Sequence, residues 1–169
     1  DQSETLQVSL PTPESLVSNE NCLRYGDVPD GFEFDASFEN PLRANQSATI
    51  ASTKAGTYYV LIRGQSGPTP NAPITLLAKT VPFSITDVTP DQGGDSKWVT
   101  MTITGARFQP DAIVKLVRPG IEEIEPANYE VIDATKIIAT FDFTGRDRAL
   151  YDIKVINPDG AAAVVPYRY

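Results

Sequence analysis

The densest set of chemistry-bearing residues in the chain is Asp27, Asp30, Glu33 and Asp35, four carboxylates within nine positions. Calcium is a hard cation that takes about six to eight oxygens, and loop carboxylates with backbone carbonyls supply them. The same residues sit in Gly26-Asp27 and Pro29-Asp30-Gly31. There a short acidic side chain accepts from backbone amides just ahead of it and fixes a tight turn. The ligand spacing of an EF-hand loop is absent, so a calcium site and a set of turn residues both stand as readings. A second set, Asp87, Asp91 and Asp95, flanks Pro90–Gly94 and reads as a solvated loop. A third, Glu122, Glu123 and Glu125, follows Pro119-Gly120. Paired carboxylates run glycoside hydrolysis, but acidic side chains on a hairpin also keep a strand edge from pairing. No sugar cleft is suggested elsewhere, so the edge reading is the expectation.

What the chain lacks narrows the chemistry further. Its 169 residues include no His and one Cys, Cys22. Imidazole-dependent mechanisms and His-liganded metals are therefore excluded. So are an internal disulfide, a CxxC pair and a Cys-rich zinc site. Cys22 reads as a small buried hydrophobe. The net charge is −8, with nine acids and five bases in residues 1–80 and thirteen and nine in 81–169. No Lys/Arg run interrupts this acidity, so nucleic acid and anionic membranes are poor electrostatic partners. The longest apolar stretches, Tyr58 to Ile62 and Ala161 to Pro166, are far short of a membrane span. No basic segment leading into an apolar one opens the chain, so the expectation is a mature or excised piece without a signal peptide.

The elements that must position these residues read as strands. Leu6, Val8 and Leu10 alternate with polar residues, the period of a half-buried strand. Short runs follow at Leu23–Tyr25 and Phe32–Phe34. Thr57-Tyr58-Tyr59-Val60-Leu61-Ile62 is β-branched and aromatic and reads as a central strand. Further strands are expected at 74–81, 83–88, 98–104, 113–117, 129–132, 136–143, 151–156 and 162–167. Turn chemistry separates them, as in Gly64-Gln65-Ser66-Gly67-Pro68, Arg118-Pro119-Gly120 and Asn157-Pro158-Asp159-Gly160. No window holds a helical apolar period, and residues 44–51 have weak helical character at best. The expectation is an all-β chain of two tandem antiparallel β-sandwiches, 1–80 and 81–169, with a linker too short for free swinging. Tyr58 and Tyr59 must point to opposite faces of one sheet. Whichever of the two faces outward, with Trp98, Tyr129, Tyr167 and Tyr169, is a candidate for stacking on a ligand, with ordinary packing as the alternative. Asn45-Gln46-Ser47 fits the N-glycosylation sequon.

Two resemblances rest on particular motifs. Ile85-Thr86-Asp87-Val88-Thr89-Pro90, Gly93-Gly94, Val99 through Gly105-Ala106-Arg107-Phe108, and Tyr151 to Asn157-Pro158-Asp159-Gly160 together resemble the IPT/TIG domain. That resemblance implies an immunoglobulin-like fold, second of the two, as found in cell-surface receptors, secreted bacterial proteins and some transcription factors. Within it, Gly105 is expected to permit a bend or bulge and Phe108 to return to the core. Leu150 stands where the family usually has Gly. The first half is similar to the PPC-type sandwich of secreted bacterial peptidases. The similarity rests on Leu6 to Leu10, Leu23-Arg24-Tyr25-Gly26-Asp27-Val28-Pro29, Phe34-Asp35 and Ala55-Gly56-Thr57-Tyr58-Tyr59-Val60-Leu61-Ile62. Measured against that family, a first strand or two is missing, either truncated or donated by another chain. Some relatives of that type bind calcium, which bears on Asp27, Asp30, Glu33 and Asp35.

The resulting expectation is a non-enzymatic module pair of a secreted or cell-surface bacterial protein, serving as structural spacer, adhesion or assembly unit. The alternative is an accessory region of a secreted hydrolase that binds polysaccharide or protein. Expected partners are neighbouring modules, identical subunits, or an extracellular polysaccharide or protein, with no nucleic acid and no membrane insertion. Calcium is the only cofactor the residues suggest.

Overall fold

The structure of the chain is a computed structural model that describes residues 4–11, 18–38, 45–66, 74–92, 97–146, 149–166 and 169. It is all-β, with no helix among the described residues and four antiparallel sheets arranged as tandem β-sandwiches. The chain divides into two compact units, Asp1–Val81 and Pro82–Tyr169.

The first unit holds β1 (Thr5–Leu10), β2 (Ser18–Tyr25), β3 (Ala36–Ser37), β4 (Gln46–Ile50), β5 (Tyr58–Ser66) and β6 (Leu77–Val81). One sheet runs β4-β1-β6 and the other β3-β2-β5. Alternation on β1 sends Leu6, Val8 and Leu10 inward, and Val8 packs with Leu23, Ala48 and Ile50. That core is small among the described residues, and buried polar side chains lie around it: Thr5, Asn19, Asn21 and Gln46. Asn21 donates through Nδ2 to the Val8 carbonyl at 3.1 Å, tying the two sheets together. On β5, Tyr58 packs on the core while Tyr59 faces solvent, the split that adjacent strand positions require. Tyr25 closes the end of the same sheet. Its ring meets Tyr58 edge-on at 5.2 Å, its hydroxyl donates to the Ala55 carbonyl at 2.8 Å, and it occupies the space beside Gly56 that a Cβ would need.

Besides the short strands β3 and, in the second unit, Glu122–Ile124, which no expected strand covered, three stretches differ from the sequence expectation. Residues 46–50, read as weakly helical, form β4, whose inward positions are Gln46, Ala48 and Ile50. A glutamine and an alanine at core positions hide the period-2 signal. Phe32–Phe34 is not a strand. The Asp30 side chain captures the amides of Phe32 and Glu33 at 2.7 Å each, so the chain turns there and leaves Phe32 95% exposed. Residues 74–76 precede β6 without joining it.

The second unit holds β7 (Ser84–Thr89), β8 (Trp98–Ala106), β9 (Ile113–Arg118), β10 (Glu122–Ile124), β11 (Asn128–Asp133), β12 (Lys136–Asp142), β13 (Asp152–Ile156) and β14 (Ala162–Val165). Its sheets run β11-β12-β8-β7 and β10-β9-β13-β14. Their inner faces bury a continuous apolar cluster that includes Met101, Ile103, Leu116, Ile137, Phe141, Tyr151 and Ile153. A bulge falls between Ile85 and Asp87, opposite Gly105. The Gly105 backbone lies against the Ser84 carbonyl and the Phe108 ring so closely that a Cβ would overlap both. Gly105 donates its amide to Thr135 at 2.8 Å, and Phe108 returns to the core.

Candidate functional site

In the first unit, the four acidic candidates lie in the loop between β2 and β3, at the end of sheet β3-β2-β5. Period-2 alternation puts Glu20, Cys22 and Arg24 of β2 on the outer face of that sheet, opposite Arg63, Leu61 and Tyr59 of β5 in the register. Arg24 then reaches the loop that follows its own strand. Its guanidinium lies 2.8 Å from the Glu33 carboxylate and 3.7 Å from Asp27. Asp27 also accepts from the Val28 amide at 2.7 Å, and Asp35 accepts from the Tyr25 amide at 2.7 Å. The two amide bonds to Asp30 hold its carboxyl below the ordinary 3.8. The four carboxylates are thus each joined to a backbone amide or to one arginine, which is the turn reading. No group of three or more His, Cys, Asp and Glu able to hold a metal ion occurs among the described residues.

Beside this knot lies a cavity of about 350 Å³, lined by Glu20, Cys22, Phe34, Phe38, Leu61 and Arg63 among others. Cys22, a free, buried thiol, is one of its lining residues. Burial, and then the Glu20 charge, raise its thiol above the ordinary 9.0. A raised thiol is protonated and a poor nucleophile at neutral pH. The cavity therefore offers two aromatic rings, an apolar wall and one Arg63–Glu20 charge pair at 4.0 Å.

The other acidic sets are separate. Asp87 is exposed and accepts from the Thr89 hydroxyl at 3.2 Å; Asp91 is exposed on the following bend; Asp95 lies outside the described residues. Glu122 and Glu123 belong to the three-residue edge strand β10. Glu123 and Glu125 flank the Lys115 ammonium at 3.0 and 3.6 Å. Glu122 does something the sequence did not reveal. One oxygen accepts from the Tyr151 hydroxyl at 2.9 Å and the Arg118 guanidinium at 3.3 Å, and the other from Arg146 at 2.7 Å. The Tyr151 hydroxyl, then Arg118 and Arg146, hold this carboxyl below its ordinary 4.5. Tyr151 is a fully buried ring, and burial followed by Glu122 raises its hydroxyl above 10.0. No protein-family model matches the chain, and no curated protein matches it.

Among the remaining candidates, Trp98 and Tyr129 are exposed on different strands, Tyr169 is part-buried against Phe143 at 5.2 Å, and Tyr167 lies outside the described residues. Asn45 of the sequon is exposed. The missed residues are Arg24, Arg118, Arg146 and Tyr151. Only Arg24 had a sequence signal: it shares the outer face of β2 with Cys22 two positions away, next to an acidic loop.

Proposed function

We propose that the chain is a non-catalytic pair of β-sandwich modules from a secreted or cell-surface bacterial protein, acting as a structural spacer, adhesion or assembly unit. One observation carries this reading. The side chains able to do chemistry are engaged in holding turns and strand edges: Asp30 in its own loop, Arg24 between Asp27 and Glu33, Glu122 among Tyr151, Arg118 and Arg146. The strand order β11-β12-β8-β7 with β10-β9-β13-β14 supports the immunoglobulin-like, IPT/TIG-type reading of the second unit. It corresponds to an ABED sheet facing a CFG sheet with one added edge strand. For the first unit, the Gly56-to-Ile62 segment supports the PPC-type reading by entering a strand directly after a turn.

The alternative, an accessory substrate-binding region of a hydrolase, is favoured by one feature: the cavity at Phe34 and Phe38, whose residues Leu61 and Arg63 share a strand face with exposed Tyr59. Aromatic faces next to an Arg/Glu pair suit a sugar ring or an extended peptide. Co-sedimentation of the chain with insoluble polysaccharides and with collagen separates the two. Retention that Phe34→Ala and Tyr59→Ala abolish selects the accessory reading. No retention on either supports the spacer.

A further inference from the structure

We propose that the 26–35 loop is a contact between two copies of the chain, in which Phe32 of each copy enters the cavity lined by Cys22 and Leu61 of the other. Phe32 is 95% exposed, the most exposed large hydrophobic side chain among the described residues, and Val28 beside it is exposed too. A phenyl ring kept in water forgoes the stabilisation that burial would bring. Yet local bonds hold this one out. Asp30 accepts the amides of Phe32 and Glu33 at 2.7 Å each and donates its own amide to the Glu33 carbonyl at 3.3 Å. Arg24 ties Asp27 to Glu33. At the stem, Asp35 accepts the Tyr25 amide at 2.7 Å and donates its amide to the Leu23 carbonyl at 2.8 Å. A ring fixed in advance loses little freedom when it binds, so this loop is suited to insertion into a partner. Turning Phe32 back into its own unit would instead break the Asp30 bonds.

The cavity has the size and chemistry to receive that ring. A cavity of about 150 Å³ with apolar walls already holds benzene, and this one measures about 350 Å³. Phe34, Phe38, Leu61 and Cys22 supply apolar wall, and the two rings can meet an incoming phenyl edge-to-face. Charge matches as well. Phe32 arrives between Asp30 and Glu33, and the cavity's cation is Arg63. The Arg63 side chain is 53% exposed and lies 4.0 Å from Glu20, the length of a loose pair, so its guanidinium has donors to offer a second carboxylate.

Ring and cavity also adjoin. Gly31 and Phe34, on either side of Phe32 in the chain, both line the cavity. Two copies set face to face can therefore each give a ring and each receive one, which closes the contact as a two-fold pair. A contact made of two rings and their loops is small, so the pair is weak and reversible. The inference rests on the assembly element of the proposed function and deepens it. A monomeric chain overturns the pairing while leaving the non-catalytic reading untouched.

The test follows the full chain by sedimentation velocity over a concentration series reaching about 1 mM, where a weak pair is still populated. In parallel, the rate at which iodoacetamide alkylates Cys22, the single thiol of the chain, reports cavity occupancy. The expected result is a reversible dimer of twice 18.4 kDa, with Cys22 alkylated more slowly as concentration rises. Phe32→Ala changes an exposed side chain and keeps the fold, which a thermal melt checks. It removes two insertions, each worth about tenfold, so it weakens the dimer about a hundredfold and abolishes the concentration dependence at Cys22. Ile121→Ala, at an exposed apolar position of the second unit, leaves both readouts unchanged. A monomer at every concentration, growth beyond a dimer, or a dimer that Phe32→Ala leaves intact overturns the proposal. So does a dimer in which Cys22 reacts as fast as in the monomer. Protection of Cys22 that depends on Phe32 but not on concentration places the ring in its own cavity and overturns it equally.

Discussion

The Asn157 side chain holds the backbone of Arg107, fifty residues away: Nδ2 donates to the Arg107 carbonyl at 2.9 Å, and Oδ1 accepts from the Gln109 amide at 3.1 Å. Arg107 is the non-glycine residue at positive φ, 61°, among the described residues. Its left-handed conformation lets the chain leave β8 and send Phe108 into the core. Gln109 adds a bond from its side-chain amide to Asp159 at 3.1 Å. The two motif pieces Gly105-Ala106-Arg107-Phe108 and Asn157-Pro158-Asp159-Gly160 thus form one physical joint in the second unit. Asn157 is 4% exposed, so both of its bonds are shielded from water.

Asn157→Ala leaves the Arg107 carbonyl and the Gln109 amide without that partner. Loss of a buried partner costs about 1–3 kcal/mol. Denaturant unfolding of the second unit is expected to show a loss in that range. Asn157→Asp keeps the acceptor for Gln109 but faces a carboxylate to a carbonyl, and is expected to be at least as damaging.

Gly105→Ala tests space and not conformational freedom, because φ at Gly105 is not positive. The added methyl meets the Ser84 backbone and the Phe108 ring. The ring can shift; the strand carbonyl cannot without disturbing the bulge. Overpacking of this kind costs about 1–3 kcal/mol. A lower melting temperature of the second unit is expected, while Gly120→Ala, which meets no atom within 4 Å and is limited to φ strain, costs less.

Glu122 and Tyr151 are coupled directly, so Glu122→Gln and Tyr151→Phe should not add. A double-mutant cycle is expected to give a coupling energy of about 1 kcal/mol.

The same carboxyl sets the acid limb of stability. Its folded pKa lies below the ordinary 4.5, as those of Glu123 and Asp142 lie below theirs. A depressed carboxyl contributes stability that is fully present above its unfolded value and is lost as pH falls through its folded one. Unfolding free energy measured from pH 7 downward should therefore stay level and then fall from about 4.5. Glu122→Gln should flatten that fall without removing it. On the alkaline side Tyr151, raised above 10.0, contributes stability that is lost only as pH climbs past that value.

Asp27, Asp30, Glu33 and Asp35 already hold Arg24 and backbone amides. Calcium and a chelator are expected to give the same melting temperature for the first unit. A rise with calcium would instead assign these carboxylates to a metal. Arg24→Ala, by contrast, should loosen the 26–35 loop. The effect on stability is expected within about 1 kcal/mol, since the ion pairs are partly solvated. Faster amide exchange at Phe32 and Glu33 is the sensitive readout.

Strands with clean alternation were legible in the residues alone: Leu6–Leu10, Lys136–Phe143 and Tyr151–Ile156 occupy β1, β12 and β13 nearly as read. Turn residues were equally plain, because Asp30 acts on amides two and three positions ahead and such local chemistry needs no partner from elsewhere. β4 was missed because Gln46 occupies a core-facing position, which alternation scores as polar. The Glu122 knot was missed because Arg118, Arg146 and Tyr151 reach it from different elements.

The sequence by itself determined the all-β class, the positions of most strands and turns, and the absence of imidazole and dithiol chemistry. These follow from local periodicity and from counts. Only the tertiary structure decided that Asn157 supports Arg107 and that Glu122 is a junction and not a bare edge charge. Each of these is a relation between residues distant in sequence, fixed by which strands lie side by side, and period-2 alternation states which face a residue takes without saying what waits on that face.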